Sequence, residues 1–203
     1  MQPFTVVAGP AAPLPAANVD TDVIMPKQFL KGIDRSGLAQ GVLHDLRFDK
    51  DGVPRPDFVL NRPEWQNARF LVVGPNFGCG SSREHAVWGL LQLGIRAIIG
   101  TTFAGIFADN AANNGLLLVT LDPEQASVLS ALAAKPDGNR FAVDLPEQTI
   151  AAGDAVRLGF EIPPTRKDAL VRGLDAIGMT LDQAAAIRAF EARYHAAHPW
   201  LVR

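Results

Sequence analysis

The chain is short of cysteine, of charge and of long apolar runs, and each shortage excludes something. Its single cysteine, Cys79, rules out an intrachain disulfide and any multi-cysteine metal or iron–sulfur site built by this chain alone. Charged residues are 20% of the 203, the net charge is −2, and lysine and arginine do not cluster. A basic field for nucleic acid or for a membrane surface is therefore missing. No stretch has the pattern of a membrane span, and the opening residues are broken by Pro3, Pro10, Pro13 and Pro15 before Asp20. One thiol and no signal-peptide pattern point to a reducing cytoplasm. Internal repeats, heptads and low-complexity tracts are also missing. What is left is enough chain for a sizeable core, read as one compact α/β domain over 1–203.

Two short β-branched runs, "RFLVVG" (69–74) and "IRAIIGTT" (95–102), have the pattern of buried parallel strands. Between them Val87, Leu90, Leu91 and Gly94 recur at helical spacing, which predicts a βαβ unit with a right-handed crossover. A helix over 104–114, ended by a left-handed cap at Asn113-Asn114-Gly115, leads to a strand over 116–121. Asp122-Pro123-Glu124-Gln125 starts a helix running to about Ala134. "RFAVDL", "QTIAAG" and "AVRLGF" predict a β-meander that closes the sheet.

At the N-terminal end a short strand is expected over 4–9, followed by a proline-rich loop. "KGIDRSG" reads as a mobile exposed loop, and 47–58 as a turn-rich excursion. Helices follow the meander from about 164. Thr180 with Gln183 predicts the cap of the last one, with Leu181, Ala184, Ile187, Phe190 and Tyr194 on one face.

The chemistry concentrates in "NFGCGSSREHAVWGLL" (76–91), a strand-to-helix turn with two glycines around Cys79. It is not a P-loop, because the required lysine is missing. It is not a dinucleotide fingerprint, because Arg83 stands where the third glycine belongs. Neither Ser81 nor Ser82 has the two flanking glycines of a nucleophile elbow. Two readings stay open. Ser81 with Glu84 matches a capping box, with Gly78 and Gly80 allowing positive φ in the turn. Alternatively, the free N–H groups and dipole of the helix start, together with Arg83, form a site for a carboxylate or oxyanion beside a serine hydroxyl. That site is incomplete by itself, since full ionisation of a serine needs a further partner.

The loop closely resembles the signature of the small-subunit family of 3-isopropylmalate dehydratase (isopropylmalate isomerase), whose members correspond to the swivelling C-terminal domain of aconitase. "NVDTDVIMPKQFL" (18–30), "PDFVLN" (56–61) and "GLDAIGMTL" (173–181) carry the same resemblance in the same order, so it covers nearly the whole chain. It implies an α/β fold of the swivelling β/β/α kind, with a βαβ core and a C-terminal helical extension over about 164–203. It also implies a heterodimer, or higher assembly, with a large subunit that carries a [4Fe–4S] cluster; this chain itself would hold no metal or cofactor. The reaction implied is dehydration of 2-isopropylmalate and rehydration to 3-isopropylmalate in leucine biosynthesis, with the partner's iron as Lewis acid.

By motif match, Ser81 would be the base that removes and returns the carbon-bound proton. Arg83 would hold a substrate carboxylate, with Ser82 as a neighbouring contact. The segment Phe29-Leu30-Lys31-Gly32 looks like the family's recognition loop. Leu30 suits an isopropyl group, and Lys31 reads either as a contact or as a solvated charge. Asp22 matches a family position near the site and reads equally as a turn stabiliser. One apolar contact discriminates by only about 1–3 kcal/mol, so citraconate/methylmalate or homoaconitate-type acids remain alternatives. A non-catalytic carboxylate-binding module is a further one.

The family's run tends to carry an acidic residue where Gly105 stands, while this chain has Asp109 nearby. Cys79 is expected to be a small, partly buried thiol and His85 a structural hydrogen-bonding residue, although each also invites a role in the site. His195 and His198 read as tail histidines rather than metal ligands.

Overall fold

The computed structural model describes residues 1–31, 35–153 and 156–201. Gly32 of the predicted recognition loop, and Ile33 and Asp34 of the "KGIDRSG" segment, lie outside the described residues. So do Asp154 and Ala155 near the start of the predicted "AVRLGF" strand.

Seven strands form one mixed sheet: β1 (Val6–Leu14), β2 (Phe70–Val73), β3 (Ala97–Gly100), β4 (Leu117–Thr120), β5 (Arg140–Asp144), β6 (Thr149–Ala152) and β7 (Val156–Gly159). Their order is β4-β3-β2-β1-β5-β6-β7. The four strands from β4 to β1 are parallel, and β5, β6 and β7 continue from β1 as an antiparallel meander. The helices are α1 (Thr21–Ile24), α2 (His44–Arg47), α3 (Glu84–Leu93), α4 (Gly105–Asn114), α5 (Pro123–Ala133), α6 (Pro164–Arg172), α7 (Ala176–Leu181) and α8 (Ala184–Ala197).

Side-chain alternation divides the core into two layers. Leu71 and Val73 of β2 join Ala86, Val87 and Leu90 of α3, Phe107 and Ala111 of α4, and the 38–43 segment on one face. Phe70 and Val72 join Ala126, Leu129 and Ala133 of α5, the inner residues of the meander and Leu170 of α6 on the other. The parallel strands are buried on both faces, which is why they read as unbroken apolar runs. Trp65, 1% exposed, donates its indole N–H to the Ala133 carbonyl and so ties the long 47–68 excursion to α5.

The N-terminal strand is longer than its sequence suggests, because β1 runs through Pro10 and Pro13 to Leu14. It changes partner midway. Val6–Pro10 pairs with β5, and Ala11–Leu14 pairs with β2. Arg69 donates to the Pro10 carbonyl and Gly74 to the Leu14 carbonyl, so residues 10, 12 and 14 point towards β2. Pro13 therefore points to the side that β5 has already left, where the missing N–H costs no ladder bond.

Two expected caps also differ. Thr180 does not start the last helix: its hydroxyl donates back to the Ala176 carbonyl within α7, and Gln183 takes the cap position of α8 without a side-chain bond. Asp122, by contrast, caps α5 as its sequence predicts, accepting from the Gln125 N–H at 2.9 Å. Gly115 ends α4 in the left-handed conformation that Asn113-Asn114-Gly115 predicts. Among the described residues no helix is long and apolar enough to cross a membrane.

Candidate active site

The segments that leave the carboxyl ends of β1, β2 and β3 are laced together. Asn18 donates to the Pro75 carbonyl, Gly78 to the Val19 carbonyl, and Thr21 to the Cys79 carbonyl. On the other flank Asn76 N–H donates to the Thr102 hydroxyl, and Ala104 N–H to the Phe77 carbonyl. In open parallel sheets this end of the strands is where ligands bind. Gly78 is required by space and by conformation: at φ 78° it lies so close to Phe107 that a Cβ would stand 2.2 Å from that ring's Cγ. Gly80, at φ 89°, turns the chain back towards Asp20 and Thr21.

Helix α3 starts at Glu84, later than the serines suggest, and the predicted Ser81–Glu84 capping box does not form. Arg83 occupies the cap position in an extended conformation, φ −138° and ψ 90°, with no side-chain cap bond. Its guanidinium explains why the chain stays extended there. Nη1 contacts the Asp22 carboxylate at 2.7 Å and donates to the Met25 carbonyl at 3.1 Å, while Nη2 donates to the Ser81 hydroxyl at 3.1 Å. Glu84 is drawn elsewhere, accepting from Asn114 Nδ2 on α4 at 2.7 Å.

Arg83 is 9% exposed and Asp22 lies at the rim of the same turn. The Arg83 hydrogen bond holds the Asp22 carboxyl below the usual carboxylate range; desolvation opposes this, and the nearby charges of Arg83 and Lys27 add to it. A carboxylate compensates the buried cation, so the ion pair fixes the guanidinium plane. Five N–H groups are available on a guanidinium, and the three bonds described leave one on Nη2 and the Nε–H for a further acceptor.

The structure thus brings Asp22, Ser81 and Arg83 together. Ser81 and Ser82 are exposed at the surface. Leu30 is half-buried against the core layer that contains Met25, and Lys31 is exposed. Their link to Arg83 runs through the chain: the Met25 carbonyl accepts from Arg83, Pro26 follows, and Lys27–Leu30 forms a single 3₁₀ turn. His85 points along α3, its ring 4.7 Å from that of Trp88. An open cleft of about 580 Å³ flanks the other side of α3, lined by Arg35, Glu84, Trp88, Asn114 and Ile177, and neither Ser81 nor Arg83 lines it.

Thr21 is the residue that the sequence leaves unremarked. It is 2% exposed, donates its hydroxyl to the Ser81 carbonyl at 2.8 Å, and stands 3.4 Å from the Ser81 hydroxyl oxygen. The available signal was a lone hydroxyl residue between the two acids of "DTD". Asp20, the first of those acids, is the N-cap of α1, accepting from the Val23 N–H at 2.7 Å.

A [4Fe–4S] cluster needs several thiolate ligands. Cys79 is the chain's sole cysteine, and among the described residues no three His, Cys, Asp or Glu side chains come together to hold a metal ion. The residues present do not fit such a cluster.

Comparison with known proteins matches residues 1–124 to the aconitase C-terminal domain family. Residues 177–203 match the C-terminal domain of the 3-isopropylmalate dehydratase small subunit. The 3-isopropylmalate dehydratase small subunit 1 of Mannheimia succiniciproducens is 53% identical over 99% of both chains. Small subunit 2 of Salmonella typhimurium is 52% identical over 100% of this chain and 97% of its own. A crystal structure of 3-isopropylmalate dehydratase from Methanocaldococcus jannaschii superposes with a TM-score of 0.67 at 27% identity, covering 92% of this chain and 99% of that one. With a full-length likeness at half identity and a solved structure that superposes over 92% of it, the chain belongs to the family of 3-isopropylmalate dehydratase small subunits, built on an aconitase C-terminal domain.

Proposed function

We propose that this chain is the small-subunit half of a hydro-lyase that interconverts 2-isopropylmalate and 3-isopropylmalate by dehydration and rehydration, as leucine biosynthesis requires. In this reading it acts only when closed against a large subunit, and the [4Fe–4S] cluster belongs to that subunit. The observation that carries the proposal is a buried arginine aimed at a surface serine, Arg83 Nη2 to Ser81 Oγ, at the carboxyl end of a parallel sheet. A site this exposed leaves its reacting group in water. Closure by a second subunit would supply the missing wall and exclude solvent.

Ser81, as its alkoxide, takes the carbon-bound proton of the substrate, and the electron pair left on carbon forms the alkene as hydroxide departs from the neighbouring carbon. On rehydration hydroxide adds to the carbon that lost the proton, and the serine returns the proton to the carbon that lost hydroxide. Arg83 lowers the cost of negative charge on Ser81 Oγ through the Nη2 bond and offers its two remaining N–H groups to a substrate carboxylate. Asp22 holds the guanidinium in place, and Ser82 is a neighbouring substrate contact. Leu30 meets the isopropyl group, with Lys31 beside it at the mouth of the site. The same reading takes 1–203 as one swivelling domain of the cytoplasm, with the helices from 164 as its extension. The continuous sheet supports the first point.

The test is alkene formation from 2-isopropylmalate, followed by ultraviolet absorbance, with an anaerobically reconstituted large subunit. The chain alone should be inactive and the mixture active. Ser81→Ala should lower kcat by at least about 100-fold while the two subunits still assemble. Full activity in Ser81→Ala would remove the serine from the mechanism. An assembled, cluster-loaded enzyme that ignores isopropylmalate but turns over a methylmalate- or homoaconitate-type acid would move the substrate assignment.

A further inference from the structure

Thr21 has one hydroxyl proton and two neighbours that compete for it. The Ser81 carbonyl takes that proton at 2.8 Å, so across the 3.4 Å contact with Ser81 Oγ the threonine oxygen is left as an acceptor. The four tetrahedral positions around Ser81 Oγ are then accounted for. One is Cβ, one is the proton facing Thr21, and one is the lone pair receiving Arg83 Nη2 at 3.1 Å. The fourth, a lone pair, faces the exposed side. Two buried groups from different segments thus fix a surface hydroxyl that would otherwise rotate freely. Backbone bonds hold the threonine in turn, since its N–H donates to the Cys79 carbonyl and its carbonyl accepts from Met25.

From this geometry we propose that Thr21 is a positioning residue for Ser81, acting as hydrogen-bond acceptor to the serine hydroxyl and as donor to the serine alkoxide. The inference rests on the reading of Ser81 as the base. When Ser81 ionises, its proton goes to solvent, and the Thr21 O–H turns from the Ser81 carbonyl to Ser81 Oγ. When Ser81 takes the substrate proton, the C–H bond breaks, an O–H bond forms, and the electron pair stays on the substrate. The Thr21 O–H then returns to the carbonyl. No proton is transferred to the threonine at any point. Its burial makes the switch effective, because water does not reach the threonine end of either bond.

The test is steady-state kinetics against pH on the assembled enzyme, with both subunits present and the cluster loaded, comparing wild type, Thr21→Val, Thr21→Ser and Ser81→Ala. Thr21→Val should lower kcat by about 10- to 100-fold, the effect of losing one hydrogen bond to a charged group, with KM within about 2-fold. Activity that rises with pH as the base ionises should rise later in Thr21→Val, because the alkoxide has lost a donor. Thr21→Ser should restore both kcat and the profile. If Thr21→Val does not assemble, Thr21→Ala removes the same hydroxyl and is read in the same way.

Three results would overturn the inference: a hydroxyl-free variant with wild-type kcat and profile, a lowered kcat with an unmoved profile, or Thr21→Ser as impaired as Thr21→Val. Ser81→Ala separates the two levels of argument. An inactive Ser81→Ala beside a normal Thr21→Val removes the threonine alone, whereas an active Ser81→Ala removes the base on which the proposal stands.

Discussion

Asp22 and Arg83 show how a single ion pair supports both the local fold and the site. The pair joins the first turn after β1 to the turn before α3, two segments also linked there by backbone bonds and by the Thr21 hydroxyl. Because the Asp22 carboxyl is held below its usual range, the ionised form is favoured more in the folded chain than in the unfolded one. The resulting stability is fully present above the ordinary aspartate pKa, about 3.9, and is lost as pH falls through the lower folded value. In Asp22→Asn that contribution is missing at every pH. Thermal midpoints of the two proteins should differ by a constant amount from pH 5 to 8 and converge as pH drops below about 4. Parallel curves down to pH 3 would mean that the pair contributes nothing. The buried guanidinium is more exacting than its charge, since it serves three acceptors from one plane. Arg83→Lys keeps the charge and loses the fork, and kcat/KM for 2-isopropylmalate in the assembled enzyme should fall by about 100-fold. A fall of less than about 3-fold would make Arg83 a structural cation only.

At the scale of elements, two glycines near α4 have opposite requirements. A methyl at Gly78 meets Phe107 Cγ at 2.2 Å on a backbone of positive φ, so Gly78→Ala combines strain with overpacking. We expect a loss of about 2–4 kcal/mol, read as a fall of roughly 5–15 °C in Tm. Gly105 opens α4 with no positive φ and nothing within 4 Å of the place a methyl would take, so Gly105→Ala should gain about 0.5 kcal/mol. Equal effects from the two would show that the 76–80 turn shifts to make room.

These elements also show what the amino-acid pattern carries. The parallel strands and the α5 cap are legible because local rules settle them: β-branched runs bury both faces, and Asp122 bonds to an N–H three residues on. The course of β1 is not, because whether a proline is tolerated in a strand depends on when the neighbouring strand ends. The Ser81 cap fails for a related reason. Arg83 is claimed by Asp22 and Met25, some sixty residues away, and that claim holds the chain out of the helix until Glu84. Ser81 and Arg83 stand out through their motif, whereas Thr21 reaches Ser81 only through a bridge between distant segments, Asp20 with Cys79.

Across the whole molecule, burial thins out towards the C-terminal end. The sheet and its two core layers account for the large buried side chains, while α8 contains no buried residue. Of the apolar face expected of that helix, Leu181 falls in α7 instead, and on α8 Ile187, Phe190 and Tyr194 remain 37%, 56% and 41% exposed. Its aromatic rings pack on one another instead: Phe190 stacks on Tyr194 at 5.5 Å, and Tyr194 meets His198 at 4.4 Å. A helix held mainly by contacts within itself adds little to the free energy of the sheet. The junction before it is secured separately, since Arg172 on α6 bonds both Asp168 and Asp182, and Asp175 caps α7 through the Gly178 N–H. Ending the chain after Gln183 removes α8 and leaves all of those bonds in place. The shortened chain should therefore keep its cooperative unfolding transition, with Tm within about 3 °C of the full chain, or roughly 1 kcal/mol. Far-ultraviolet circular dichroism should report the loss of about one helix and no change in strand signal. A fall of 10 °C or more would mean that α8 packs onto the body of the protein in solution, and the core would then extend to the end of the chain.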